Sequence, residues 1–240
     1  MSDTPSDRTP EEITATVAKL EAEAAKAHAE AAKAHAEAEK ADLERRLSLL
    51  EVTLKERARA EADAADVHHY VYRFTGGVDK LTVTAAMAQL TAWHRQAPEG
   101  TPFEIVFFSP GGDVISGFAL FDHLRWLSSL GHPIITGATG MAASMGGVLI
   151  QAGDTRWMSS EAWYMIHRAA FGAAGKTFEI EDEVEWVKRI EQRICDIFVR
   201  RSNGKLTAAK IKRNWDRKDW WITSNEALEL GLIDSVRGPS

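Results

Sequence analysis

Phe103-Glu-Ile-Val-Phe-Phe-Ser-Pro-Gly-Gly112 is the stretch on which the fold turns. Its first six residues carry one charge among five apolar side chains, the pattern of a strand buried on both faces. Ser109-Pro110-Gly111-Gly112 ends it with residues that break regular structure, and the amphipathic run Ile115 to Leu130 then reads as a helix. A strand, a glycine loop and a helix in that order make the repeating piece of an α/β domain. Working outward, Tyr70 to Phe74 and Pro133 to Ala138 read as further strands, and Leu81 to Arg95 as a second helix. Ser144 to Ala152, small and apolar, suits a buried helix. Near the end, Thr223-Ser-Asn-Glu226 is a capping box and Gly231 a helix stop.

Upstream the physics changes. Residues 11–66 hold no Gly or Pro and are built from Ala, Glu, Lys, Arg and Leu, which predicts one long helix preceded by a disordered terminus over 1–10. Small and apolar residues recur from Ile13 and Val17 to Ala41 in alternating steps of four and three, a heptad seam. The phase then breaks, and Leu43, Leu47, Leu50 and Leu54 begin a second, stronger seam. His28 and His35 are seven residues apart, not the four that would bring two imidazoles to one metal, and are read as solvated. The composition shifts near residue 66, so 67–240 is taken as the globular domain.

With 45% hydrophobic residues among 240, the chain can build one sizeable core. A formal charge of −6 argues against the basic face that a nucleic acid requires. Cys195 is the single cysteine, so no internal disulfide, zinc site or redox pair is expected. No apolar run approaches membrane-spanning length and Met1 to Pro10 lacks the apolar stretch of a secretory signal, which together give the expectation of a cytoplasmic protein.

Gly140-Met-Ala-Ala-Ser144-Met-Gly-Gly147 sets a hydroxyl where a strand gives way to a helix, beside unpaired backbone donors that stabilise developing negative charge. The same small residues also suit close helix packing. Ala142 stands where the Gly-x-Ser-x-Gly elbow of α/β-hydrolases has glycine, which disfavours that fold. His167 ends the strand-like run Ala162 to Ile166, and Asp219 sits in a charged cluster before Trp220 and Trp221, which are read as filling the core. Taken singly, each fits an ordinary structural role.

Taken in order, these pieces resemble the proteolytic subunit of the Clp protease family over roughly Tyr70 to Val236. The resemblance rests on Phe108-Ser-Pro-Gly-Gly112, Gly140-Met-Ala-Ala-Ser-Met-Gly146, Met165-Ile-His167, Asp219-Trp-Trp-Ile-Thr-Ser-Asn-Glu-Ala227 and Gly231-Leu-Ile-Asp234. It implies the family's repeated β-β-α superhelix, shared with crotonases, with a protruding handle helix for which Phe178 to Arg201 is the candidate. It implies a serine endopeptidase in which Ser144 attacks, His167 moves the proton, Asp219 orients the imidazole, and the amides of Gly112 and Met145 form the oxyanion hole. Extended substrate would pair along Gly111-Gly112. No cofactor or metal is implied, since ATP is used only by a partner AAA+ unfoldase. Homo-oligomeric, heptameric rings that stack into a chamber for unfolded polypeptide are implied too.

The sequence departs from the family in Arg168-Ala-Ala-Phe171 after the histidine, in Phe108, and most of all in the N-terminal helix, which at 1.5 Å per residue reaches about 75 Å. Copies of it would bundle over the entrance, or bind a partner helix, and control access. A viral prohead maturation protease, an acyl-CoA enzyme of the crotonase type and a catalytically silent scaffold are the competing readings.

Overall fold

The computed structural model describes residues 9–238. It divides into two units, Met1–Ala64 and Ala65–Ser240. Within the first, α1 runs unbroken over Pro10–Asp63, 54 residues. The expected disordered stretch 1–10 lies outside the described residues except for its last two, Thr9, which caps the helix, and Pro10, which begins it. Thr9 caps it, its hydroxyl taking the Glu12 N–H while the Glu12 carboxylate takes the Thr9 N–H, and Pro10 fills the first turn, where a missing N–H costs nothing. No residue of α1 is buried, so the helix rests on propensity and on exposed four-residue ion pairs such as Asp42–Arg46 and Lys40–Glu44.

In the second unit, strands and helices alternate: β1 (Val71–Thr75), α2 (Lys80–Gln96), β2 (Phe103–Ser109), α3 (Val114–Ser129), β3 (Ile134–Ala143), α4 (Met145–Ile150), β4 (Thr155–Ser159), β5 (Trp163–Ile166), α5 (Thr177–Arg201), α6 (Ala208–Trp215), β6 (Trp220–Thr223), α7 (Ser224–Glu229) and β7 (Ser235–Arg237). The sheet runs β1-β2-β3-β4-β7, all parallel, as crossover helices dictate. This is the α/β, Clp-protease-like fold that the sequence led us to expect. Phe103, Ile105 and Phe107 on β2 are fully buried, as are Leu120, Leu124 and Leu127 on α3. Thr223 and Glu226 cap α7 as read from the sequence.

β3 is the strand on which the site depends. Its first half pairs with β4 through Ile135↔Thr155 to Ala138↔Met158, and its second half with β5 through Met141↔Trp163 to Ala143↔Met165. Gly140, at φ +65, stands between the two pairings, and a Cβ there would lie 2.9 Å from the ring of Phe108. β5 then pairs antiparallel with β6, so these two strands form a branch off the main sheet. The pairing corrects the expectation that Trp220 and Trp221 fill the core: Trp220 is half-buried against it, but Trp221 is 46% exposed.

One guanidinium ties the C-terminal elements together. Arg156 on β4 is 2% exposed and holds Asp234 through two contacts, Nε to Oδ2 at 3.0 Å and Nη2 to Oδ1 at 2.6 Å. Its Nη1 also donates to Gln151 Oε1 and to the carbonyls of Arg201 and Gly231. Burial alone would push the Asp234 carboxyl up, but the hydrogen bonds and charge of Arg156 outweigh it and hold the group below the usual aspartate range. A carboxyl held low stabilises the fold above the unfolded aspartate value of about 3.9, and that contribution is lost as the pH falls through the folded value. Asp234→Asn is therefore expected to lower the melting temperature at pH 7 and to flatten the loss of stability below about pH 4; scanning calorimetry from pH 7 to 3 checks both.

Candidate active site

Two ladders bring the three expected residues together. Because Ala143 pairs with Met165, Ser144 lies one step past the β3–β5 ladder, where its N–H donates to Met165 O at 2.9 Å. Because Ile166 pairs with Trp220 along the other edge of β5, His167 lies one step past the same, C-terminal end of that strand, opposite Asp219. The result is His167 Nε2 2.7 Å from Ser144 Oγ, and His167 Nδ1 3.6 Å from Asp219 Oδ1. The first is a hydrogen bond; the second is an ion-pair distance one short adjustment away from one. The His167 side chain is 27% exposed and that of Asp219 is 55% exposed, so the array faces a solvent-accessible surface.

Ser144 holds a backbone conformation that few non-glycine residues adopt, φ 54 and ψ −123, at the point where β3 turns into α4. The sequence lacks the hydrolase glycine pattern, yet the physical device is the same: a sharp strand-to-helix turn that pushes the hydroxyl outward. Gly146 and Gly147 let the next turn pack closely, since a Cβ at Gly147 would meet the Tyr164 ring at 2.7 Å. Tyr164 is fully buried below the turn, donating to Gly147 O and accepting from Gln151 Nε2 at 3.0 Å, and burial pushes its phenol pKa up.

The glycine loop lies directly against this turn. A Cβ on Gly111, at φ +95, would come within 2.6 Å of Ser144 Cβ and 2.9 Å of Met145 N, and one on Gly112 within 2.2 Å of Val78 O. Both positions therefore require glycine, for contact as well as for conformation. A bridge to Val78 holds the loop, with Val78 N–H donating to Gly111 O at 2.8 Å and Asp113 N–H to Val78 O at 2.7 Å. That pattern leaves the Gly112 N–H outside the bridge. It also commits the Gly111 carbonyl, so a strand added at Gly111-Gly112 has to read the other main-chain groups of the segment.

Beside Ser144 opens a cavity of about 290 Å³ walled by Val114, Met145, Val148, Ile166, Ile194 and Phe198, with Pro110, Ala169 and Ala170 at its edge. Apart from Met145, whose amide was expected in the oxyanion hole, sequence reasoning missed these wall residues as functional. Ile194 had been placed on the handle candidate, and the signal that could have found Phe198 is its four-residue step from Ile194. In fact α5 divides: Cys195, Ile197 and Phe198 join the core, while Phe178, Ile180 and Trp186 in its first half are exposed. Among the described residues, no group of three His, Cys, Asp or Glu side chains could hold a metal, and no helix is long and apolar enough to cross a membrane.

Comparison with known proteins agrees with the geometry. The family model for Clp protease matches residues 67–239, leaving α1 outside the match. ATP-dependent Clp protease proteolytic subunit 1 of Chlamydia muridarum (strain MoPn / Nigg) is 34% identical over 158 residues, covering 64% of this chain and 79% of the relative. The corresponding subunit 1 of Chlamydia trachomatis serovar D is 32% identical over 168 residues, covering 68% and 83%. The ATP-dependent Clp protease proteolytic subunit of Deinococcus radiodurans is 32% identical over 161 residues, covering 66% and 76%. With most of its globular unit matched by that model and by these relatives, the chain belongs to the Clp protease family.

Proposed function

We propose that the chain is a serine endopeptidase subunit whose nucleophile is Ser144. The observation that carries this reading is the 2.7 Å contact between His167 Nε2 and Ser144 Oγ, with a carboxylate on the opposite ring nitrogen. Ser144 Oγ bonds to the scissile carbonyl carbon while its proton passes to His167 Nε2. The C–N bond then breaks and the same proton leaves on the amine; water, deprotonated by His167, releases the acyl group. Asp219 orients the ring and stabilises its cationic form. The N–H groups of Gly112 and Met145 receive the oxyanion, the first outside the Val78 bridge and the second in the first turn of α4.

The apolar cavity beside Ser144 fits an apolar side chain on the acyl side of the cut bond. The relatives' names, proteolytic subunits of an ATP-dependent protease, support a multi-subunit, ATP-dependent setting; in our reading a partner AAA+ ATPase feeds unfolded polypeptide to the homo-oligomer in the cytoplasm. Hydrolysis of the peptide bond itself consumes only water, so no cofactor is assigned to this chain.

Labelling with a fluorophosphonate tests the nucleophile: assembled wild type is expected to label at Ser144, and Ser144→Ala to lose both the label and roughly 10,000-fold or more of peptide cleavage. An assembled but unlabelled wild type contradicts the proposal. Gly111→Ala is expected to fold, because the clash is local, yet to lose at least about a hundredfold in kcat by displacing the Ser144 turn. Asp219→Asn is expected to cost about a hundredfold, less than the loss of Ser144. Steady-state cleavage of peptides with Leu or Phe, against Asp or Lys, before the cut bond measures these effects and the preference together.

A further inference from the structure

The main chain just after His167 is held by one side chain of α5. Residues 168–175 form neither strand nor helix, and all of them except the half-buried Ala169 are exposed. A stretch with so little burial and no ladder shifts easily unless a specific contact anchors it. Glu191 is that contact. Its carboxylate, on a side chain 12% exposed, accepts from Arg168 Nε at 3.0 Å and from Arg168 Nη2 at 3.1 Å, and its Oε1 also takes the Ala169 N–H at 3.2 Å. Among the described residues, these are the only hydrogen bonds made by any residue of 168–175. A two-pronged guanidinium–carboxylate contact fixes direction as well as distance. The Arg168 side chain is 52% exposed, so the contact matters for the geometry it imposes more than for stability.

The anchored residues border the cavity beside Ser144. Ala169 and Ala170 stand at its edge, while Ile194 and Phe198, three and seven residues after Glu191 on α5, belong to its wall. One helix therefore carries part of the wall and also the group that holds the edge, so the reach of the Glu191 carboxylate sets how far the Ala169–Ala170 main chain stands from Ile194. The neighbouring lysines do not compete for it: Lys188 holds Glu185 at 2.6 Å and Lys212 holds Gln192 Oε1 at 3.1 Å. We propose that Glu191 is a positioning residue for the acyl-side cavity: by taking the Ala169 N–H and both prongs of Arg168 it fixes the cavity edge, and so sets the preference for a large apolar side chain before the cut bond. It acts through Ala169 and Arg168 and touches neither Ser144 nor His167. The inference rests on Ser144 as the nucleophile and on the acyl-side reading of the cavity.

Cleavage by the assembled full chain of two peptides that differ only in Leu or Ala before the cut bond tests it, beside the rate at which a small alkyl fluorophosphonate labels Ser144. Glu191→Ala is expected to lower the Leu-to-Ala ratio of kcat/KM about tenfold, most of it as a higher KM for the leucine peptide, while labelling slows less than about twofold. Arg168→Ala is expected to lower the ratio about threefold by itself and to add nothing in the Glu191→Ala background, because the two side chains act through one contact. A ratio unchanged by Glu191→Ala, labelling that slows as much as leucine cleavage, or losses from the two substitutions that multiply would each overturn the proposal. Should Glu191→Ala fail to assemble, an unchanged ratio in Arg168→Ala overturns it. Labelling reports Ser144 alone, so a wild type that labels and prefers Leu, with a ratio indifferent to Glu191, sinks this inference only. An unlabelled wild type sinks the nucleophile assignment instead.

Discussion

The site depends on one strand of four residues being shared between two ladders. β5 hydrogen-bonds in parallel to the far half of β3 and antiparallel to β6. Because strand pairing fixes register, it fixes which residues emerge one step beyond each ladder: Ser144 next to Met165 on one side, Asp219 opposite His167 on the other. A slip of one residue in either ladder would turn side chains to the opposite face and dismantle the array with the core composition unchanged. The bend at Gly140 and the close packing of Tyr164 on Gly147 hold that register.

The glycine loop supplies the second half of the arrangement. Gly111 and Gly112 are pressed between the Ser144 turn and Val78, so the loop and the nucleophile turn position each other. Strain at Ser144 is retained because the surroundings over-determine it: its N–H is bound to Met165, and Met145 behind it is packed where Gly117 has no side chain.

The residues legible in the sequence were those whose local pattern carries its own physics. Phe103 to Phe108 announced a buried strand, Ser109 to Gly112 a break, and residues 11–66 a helix, each from composition or period alone. β4 and β6 were not read as strands, because Thr155-Arg-Trp-Met-Ser159 and Trp220-Trp-Ile-Thr223 are short and carry polar or exposed side chains. Asp219 drew attention only through resemblance to a family, since its importance comes from the pairing of its strand with one whose register partner, Ile166 for Trp220, lies 54 residues upstream, which no local window shows. Trp221 looked like core and is 46% exposed because β6 pairs with β5 alone and is an edge. The two seams of α1 were visible in the sequence, and the helix runs unbroken through both.

The central claim is that the two ladders set a nucleophile, a base and two amides around one reacting carbon. A crystal structure with a peptide boronic acid ending in leucine tests it most directly. The account predicts a bond from Ser144 Oγ to boron, a boronate oxygen about 2.7–3.1 Å from both Gly112 N and Met145 N, and the leucine side chain in the cavity between Val148 and Phe198. An adduct on another residue, or one on Ser144 whose oxygen points away from both amides, would contradict it.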